Sequence, residues 1–242
     1  MRRVVSQVAS KSQWILSRAT LKCYLTASSS PPPKVFCIGA NKTGTTSTEQ
    51  IFRELGLKIA PQQKVEKYFY DIDFNLNCDL FWKWLDQYEA FQDAPFSWSW
   101  ILPELIRRYP TAYYILTTRN VDAWYASIRS HHFRVLSLPD DASGKDIKNA
   151  IAQCSYISPG YFEKVLARLY GPINDDELYS ENIWKQHYIS HNHAARSLLR
   201  DNRFLEISLS EETDTRKICN FLGLPPFFVQ RIPHLNKGYE KN

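Results

Sequence analysis

Short apolar runs alternate with amphipathic stretches along this chain, the pattern of strands feeding helices. The first run, Lys34-Val-Phe-Cys-Ile, enters Gly39-Ala-Asn41-Lys42-Thr43-Gly44 and then a stretch of helical periodicity over 45–55 that Gly56 closes as a C-terminal cap. A short strand is predicted over 57–60, a tryptophan-rich helix over 80–87 and a strand over 88–92. Ile101, Leu102, Leu105 and Ile106 share one helical face, so a helix is predicted over 98–109, and Pro110 stops it before a strand over 112–118. Asn120 or Asp122 would cap the next helix. A long helix over 184–200, a strand over 204–209 and a helix over 213–222 ending at Gly223 complete the series. The stretch 136–176 breaks the rhythm with Pro, Gly, Ser and short helical pieces, and is the expected lid or acceptor-binding region.

The alternation predicts an α/β fold of three layers, a mostly parallel central sheet flanked by helices. Ligands of such sheets bind outside the carboxyl ends of the strands. Gly39, Asp93 and Arg119 all fall at predicted carboxyl ends, so three segments converge on one edge. The spacing Gly39-x4-Gly44 is that of a phosphate-wrapping P-loop, and the backbone N–H groups of the following helix start would bind an anion. A nucleotide triphosphatase would place lysine after the second glycine and an aspartate after a later strand, both serving ATP and Mg²⁺. Here Thr45 stands at the first position, the lysine has moved inside the loop as Lys42, and the later strand ends in Arg119. An arginine there repels a metal and attracts a second anionic group.

These residues resemble the sulfotransferases that use 3′-phosphoadenosine-5′-phosphosulfate (PAPS). In that family a Lys-Thr-Gly-Thr-Thr loop binds the 5′-phosphosulfate, and a strand-end arginine with a serine on the next helix binds the 3′-phosphate. Asn41-Lys42-Thr43-Gly44-Thr45-Thr46 matches the first motif, and Arg119 with Ser127, eight residues on, matches the second. Phe91-Gln-Asp93-Ala-Pro95-Phe96, Phe221-Leu-Gly-Leu-Pro225 and Pro233-His-Leu-Asn236-Lys237 are similar to a soluble, bacterial-type branch. The resemblance runs from 34 to 238 and implies a P-loop-like sulfotransferase fold, PAPS as donor, the 3′,5′-bisphosphate of adenosine (PAP) as product, and no metal. It also implies a small-molecule or glycan acceptor, whose hydroxyl or amine takes the sulfuryl group.

Charge refines this picture. The first 34 residues hold six of the 30 basic residues and no acidic one, so the remainder, with 24 basic and 25 acidic residues, is nearly neutral. A neutral body argues against a nucleic-acid partner. The basic, Ser-rich segment 1–33 ends in Ser28-Ser-Ser-Pro-Pro-Pro33 and reads as a disordered leader or an organellar transit peptide, ahead of a single domain over 34–242. Lys and Arg recur too often there for a membrane span or secretory core. The expected location is the cytoplasm, with a mitochondrion or plastid as the alternative. The five cysteines are scattered without metal spacing, as reduced thiols would be. The oligomeric state is not readable.

Sulfuryl transfer needs a cation near the bridging oxygen and a base for the acceptor's proton. Lys42 is the cation, against a surface-lysine reading. Asp93 is the base candidate, as the resemblance implies for the acid of its Asp-x-Pro segment, against a reading as a turn residue that caps the next helix. Its carboxyl, ordinarily near about pKa 3.9, needs partial burial to become an effective base. Arg119 and Ser127 would read the 3′-phosphate, since the guanidinium fork suits phosphate oxygens. Asn41, Thr43, Gly44, Thr45, Thr46 and Ser47 form the 5′ end of the site, where some hydroxyls serve only as helix caps. Lys237 would close over the 3′-phosphate as the family's basic C-terminal segment does. His187 and His191, four apart on a helix, invite a metal reading that no neighbouring carboxylate or cysteine completes. A P-loop kinase and a non-catalytic nucleotide-binding protein are the alternatives. Magnesium-dependent ATP binding would mark the first, and tight PAP binding without transfer the second.

Overall fold

A computed structural model describes residues 2–28, 33–171, 174–200 and 203–233. Helix α1 (Arg2–Ala27) precedes strand β1 (Val35–Cys37), helices α2 (Thr45–Glu54), α3 (Gln62–Asp71) and α4 (Asp79–Leu85), and strand β2 (Ala90–Phe91). Helix α5 (Leu102–Arg108), strand β3 (Tyr113–Thr117) and helices α6 (Val121–Val135), α7 (Gly144–Gln153), α8 (Tyr161–Tyr170) and α9 (Glu181–Leu198) follow. Strand β4 (Phe204–Ile207) and helix α10 (Arg216–Phe221) end the series.

The four strands form one sheet in the order β2-β1-β3-β4, and every pairing is parallel. All three residues of β1 are buried, as a strand covered by helices on both faces must be. Period-two alternation sorts its side chains between two cores. Phe36, with Tyr114 and Leu116 of β3, packs among Phe69, Phe81, Phe91, Phe96 and Trp98. Val35 and Cys37, with Ile115, face the other way onto Ile51, Phe52, Ile207 and Ile218. The two cores and the sheet between them are the three expected layers. A third cluster lies among α6, α7, α8 and α9, built on Trp124, Ile128, Ile147, Phe162 and Trp184. The expected lid region 136–176 therefore contains two helices, α7 and α8, sharing a core with α6 and α9.

Within the segment 1–33, read from composition as a disordered leader or transit peptide, residues 13–27 are the C-terminal part of α1 and contact the domain. Positions 14, 18, 21 and 25 of α1 lie along one helical face. Leu21 and Leu25 are buried in the second core, and Trp14 Nε1 donates to the Leu57 carbonyl at 3.2 Å. Arg18 reaches the Gly56 carbonyl at 3.1 Å and grips both carboxylate oxygens of Glu89. Arg18, one of the charges that interrupt the apolar pattern, is thus part of the docking. A Cβ at Gly56 would lie 2.5 Å from the Ser17 carbonyl oxygen, so the close approach of α1 requires glycine there.

Other departures are smaller. The expected strand over 57–60 is a single parallel bridge, Ile59 to Ala90. The helix expected over 98–109 opens as a 3₁₀ turn, Ser99–Ile101. Helix α3 was not foreseen, although Val65 and Phe69, both buried, stand four apart after Pro61. No helix among the described residues is long and apolar enough to cross a membrane.

Candidate active site

The strand order reverses direction between β1 and β3, since β2 lies to one side of β1 and β3 to the other. Crevices form at such a reversal, at the carboxyl ends of the strands. The glycine loop leaves β1 there and Arg119 leaves β3 there.

The loop is shaped by close packing. A Cβ at Gly39 would sit 2.0 Å from Thr117 Oγ1 and 2.4 Å from the Thr117 carbonyl, so no other residue fits against β3. Thr43 Oγ1 bonds Thr117 Oγ1 and the Ala40 carbonyl, each at 2.6 Å. This hydroxyl, a candidate donor ligand, braces the loop from inside. Asn41 is engaged on both sides, its Oδ1 accepting from Ser97 Oγ at 3.1 Å and its carbonyl from Trp124 Nε1 at 2.9 Å. Gly44, at φ 108°, precedes the first turn of α2, which receives no side-chain cap. The N–H groups of that turn have no side-chain partner from the cap residue, the state in which helix starts can bind anions. Thr46 is exposed at this helix start, whereas Thr45 and Ser47 are buried.

Lys42 has φ 71° and Asp93 has φ 62°, left-handed conformations that are uncommon for non-glycine residues. Such strain persists where surrounding structure holds it, often at functional sites. Burial depresses the Lys42 ammonium pKa, Arg134 and Arg119 push the same way, and Asp93 opposes them. Lys42 thus lies within electrostatic reach of Arg134, Asp93 and Arg119. No carboxylate among the described residues pairs with Lys42, Arg119 or Arg134. Burial likewise raises the Asp93 carboxyl, against bonds from Thr45 Oγ1 at 2.9 Å and the Ala94 N–H at 2.9 Å, and against Lys42. Thr45 therefore serves Asp93 through its hydroxyl.

Arg119 is exposed while its backbone is pinned. Tyr188 Oη accepts from its N–H and donates to its carbonyl, both at 2.9 Å. Tyr188 stacks on Trp124 at 4.4 Å, and Trp124 holds Asn41, so α9, α6 and the loop form one frame. Asn120, not Asp122, caps α6, accepting from the N–H groups of Asp122 and Ala123. Ser127 is half-buried in the second turn of that helix, and its hydroxyl has no hydrogen-bond partner shown among the described residues. Lys237 lies outside the described residues.

Two features were missed in the sequence. Arg134, on the last turn of α6, acts electrostatically on Lys42 and donates to His131 Nδ1 at 3.0 Å. Burial, Lys42 and Arg134 push His131 down to about 4, so this imidazole is neutral at pH 7 and accepts that bond. The spacing of Arg134 from Ser127, seven residues and about two helical turns, was the available signal. Glu66 on α3 is the other, and α3 itself was not foreseen. The histidine pair resolves differently from a metal site, because His191 Nε2 is bonded to the Ile38 carbonyl at 2.7 Å and His187 packs on Tyr170.

These parts, an uncapped helix start, an enclosed carboxyl and cations that no carboxylate among the described residues pairs, can hold an anionic group and take a proton. No curated protein matches the chain. The family model for the sulfotransferase domain matches residues 34–240, from the start of β1 onward. With the all-parallel sheet and helices on both faces, that match over most of its length makes this chain a member of the sulfotransferase domain family.

Proposed function

We propose that this protein transfers a sulfuryl group from PAPS to a hydroxyl or amine of a small-molecule or glycan acceptor. The observation that carries the reading is the enclosed Asp93 carboxyl, bonded by Thr45 Oγ1 at the start of α2 and coupled electrostatically to Lys42, on which Arg134 and Arg119 also act. The donor fits the residues present. The N–H groups at the start of α2 and the exposed Thr46 would hold its 5′ end, and Arg119 with Ser127 its 3′-phosphate. Arg134 adds charge beside Lys42.

In this reading Asp93 takes the proton from the acceptor as the new bond to sulfur forms. Lys42 neutralises the charge that grows on the departing phosphate oxygen as the old bond breaks. A preorganised cation at that point acts on the transition state more than on the bound donor. The frame of Trp124 and Tyr188 keeps the loop and Arg119 in register, so little reorganisation remains for the reaction itself.

Incubation with ³⁵S-labelled PAPS and a panel of phenols, alcohols, amines and sugars tests the reading. Label should reach at least one acceptor class; tight PAP binding with no transfer to any would mark a non-catalytic protein.

Asp93 makes a separate prediction about pH. Its folded pKa is raised, so the carboxylate form is lost as pH falls through a value above the ordinary aspartate range. Turnover should fall on that acid limb, and Thr45→Val, which removes a bond to the ionised form, should move the limb upward by up to roughly one unit. Asp93→Asn should lower turnover about 10²–10⁴-fold. The same variant should unfold at a higher temperature than wild type at pH 7. A raised carboxyl stabilises the fold below its unfolded pKa and loses that contribution as pH rises through the folded one. The difference in Tm should therefore close on acidification, and an unchanged gap across pH would contradict the assignment.

A further inference from the structure

Glu66 is a buried acid that the roles above do not use. It is 5 % exposed and accepts two hydrogen bonds, from Tyr161 Oη of α8 at 2.6 Å and from Gln62 Nε2 at 2.5 Å. Gln62 Nε2 also donates to the Ala94 carbonyl at 2.7 Å, and the Ala94 N–H donates to Asp93 Oδ1. One amide group carries two hydrogens, one for each acceptor, so a carboxylate at 66 and a carbonyl at 94 match it fully. Helix α3, helix α8 of the expected lid region and the turn after β2 are joined by this network.

We propose that Glu66 is a positioning residue for Asp93, holding the turn that carries it through Gln62 and tying helix α8 to the same turn through Tyr161. The proposal deepens the sulfotransferase reading and takes from it the role of Asp93 as base. Packing alone does not account for the residue, since burying a carboxyl costs stability that an apolar side chain would not. Burial pushes Glu66 up to about 7, the charge of Asp93 adds to that rise, and the bonds from Tyr161 and Gln62 oppose it. Tyr156 and Tyr161 feel both acids, while Lys42 and Glu49 act on Asp93 from the loop and α2. The two carboxyls therefore share one electrostatic environment at the edge of the site.

The test is a carbon-13 titration of the Asp93 and Glu66 carboxyls by NMR, on the full chain with and without PAP. Glu66→Ala removes the acceptor that orients Gln62, and Gln62→Ala removes the link itself. In either variant the turn should open to water and the Asp93 midpoint should fall toward the ordinary range by roughly one unit. Glu66→Gln should rescue it, because its oxygen still accepts from Gln62 while its NH₂ donates to Tyr161 Oη. If Glu66→Ala does not fold, Gln62→Ala reads the same link from a half-buried position. An Asp93 midpoint unmoved in folded Gln62→Ala, or moved as far in Glu66→Gln as in Glu66→Ala, would overturn the proposal. Failure of the wild type to bind PAP would count against the donor assignment instead, and leaves the comparison of midpoints intact.

Discussion

Replacing Lys42 with alanine is expected to lower kcat about 10²–10³-fold and to leave PAP affinity within roughly threefold of wild type. The asymmetry follows from where the charge sits. The loop holds Lys42 at φ 71°, within the field of Arg134 and Arg119, with its ammonium partly desolvated. A cation so placed gains most when negative charge grows on the oxygen beside it, and the product-like ground state is already held by Arg119 and the start of α2. Desolvation sharpens the effect, since charge–charge interaction strengthens as the local dielectric falls. Alanine keeps the strained backbone and glycine relieves it, so Lys42→Ala and Lys42→Gly should lose turnover alike. Equal loss assigns the effect to the missing charge. Full turnover in Lys42→Ala would remove the residue from the mechanism, and a loss confined to PAP binding would make it a ligand only.

Arg119→Ala should act in the opposite sense, weakening PAP roughly 10–100-fold. An exposed guanidinium is screened by salt, so the effect should shrink at high ionic strength. The variant is a clean one. Tyr188 holds the backbone N–H and carbonyl of residue 119, so truncating the side chain leaves the turn in place. Arg119→Lys should fall between, because an ammonium keeps the charge and loses the bidentate fork. Affinity for adenosine 5′-phosphosulfate, which lacks the 3′-phosphate, should change little in Arg119→Ala. Equal loss for both ligands would show that Arg119 acts elsewhere than on the 3′ group.

The parts of the fold that were legible in the sequence share a physical cause. Strands buried on both faces leave continuous apolar runs, so β1 and β3 stood out, and the tight packing at Gly39 and the left-handed Gly44 left glycines at P-loop spacing. Lys42, Asp93 and Arg119 could be placed on one edge because strand ends converge there in any parallel sheet.

What was illegible depends on contacts distant in sequence. The basic face of α1 looked like a solvated leader, because nothing local reveals that Arg18 meets Glu89 or that Leu21 meets the second core. Thr45 was read as a hydroxyl for the donor or the helix cap, and its bond to an aspartate 48 residues away has no local signal. Glu66 sits between buried Val65 and exposed Lys67 on a charged helix, and its partner Tyr161 lies on a helix 95 residues later. Arg134 was passed over because a lone arginine at a helix end has a sufficient local role beside the carbonyls there.

The account rests on a pocket that holds both phosphorylated ends of one adenosine through protein groups. Isothermal titration of PAP and of ATP into the full chain, each with EDTA and with excess Mg²⁺, tests that most directly. PAP should bind equally well in both conditions, and ATP at least about tenfold more weakly in either. ATP binding more tightly than PAP, or PAP binding that disappears in EDTA, would contradict it.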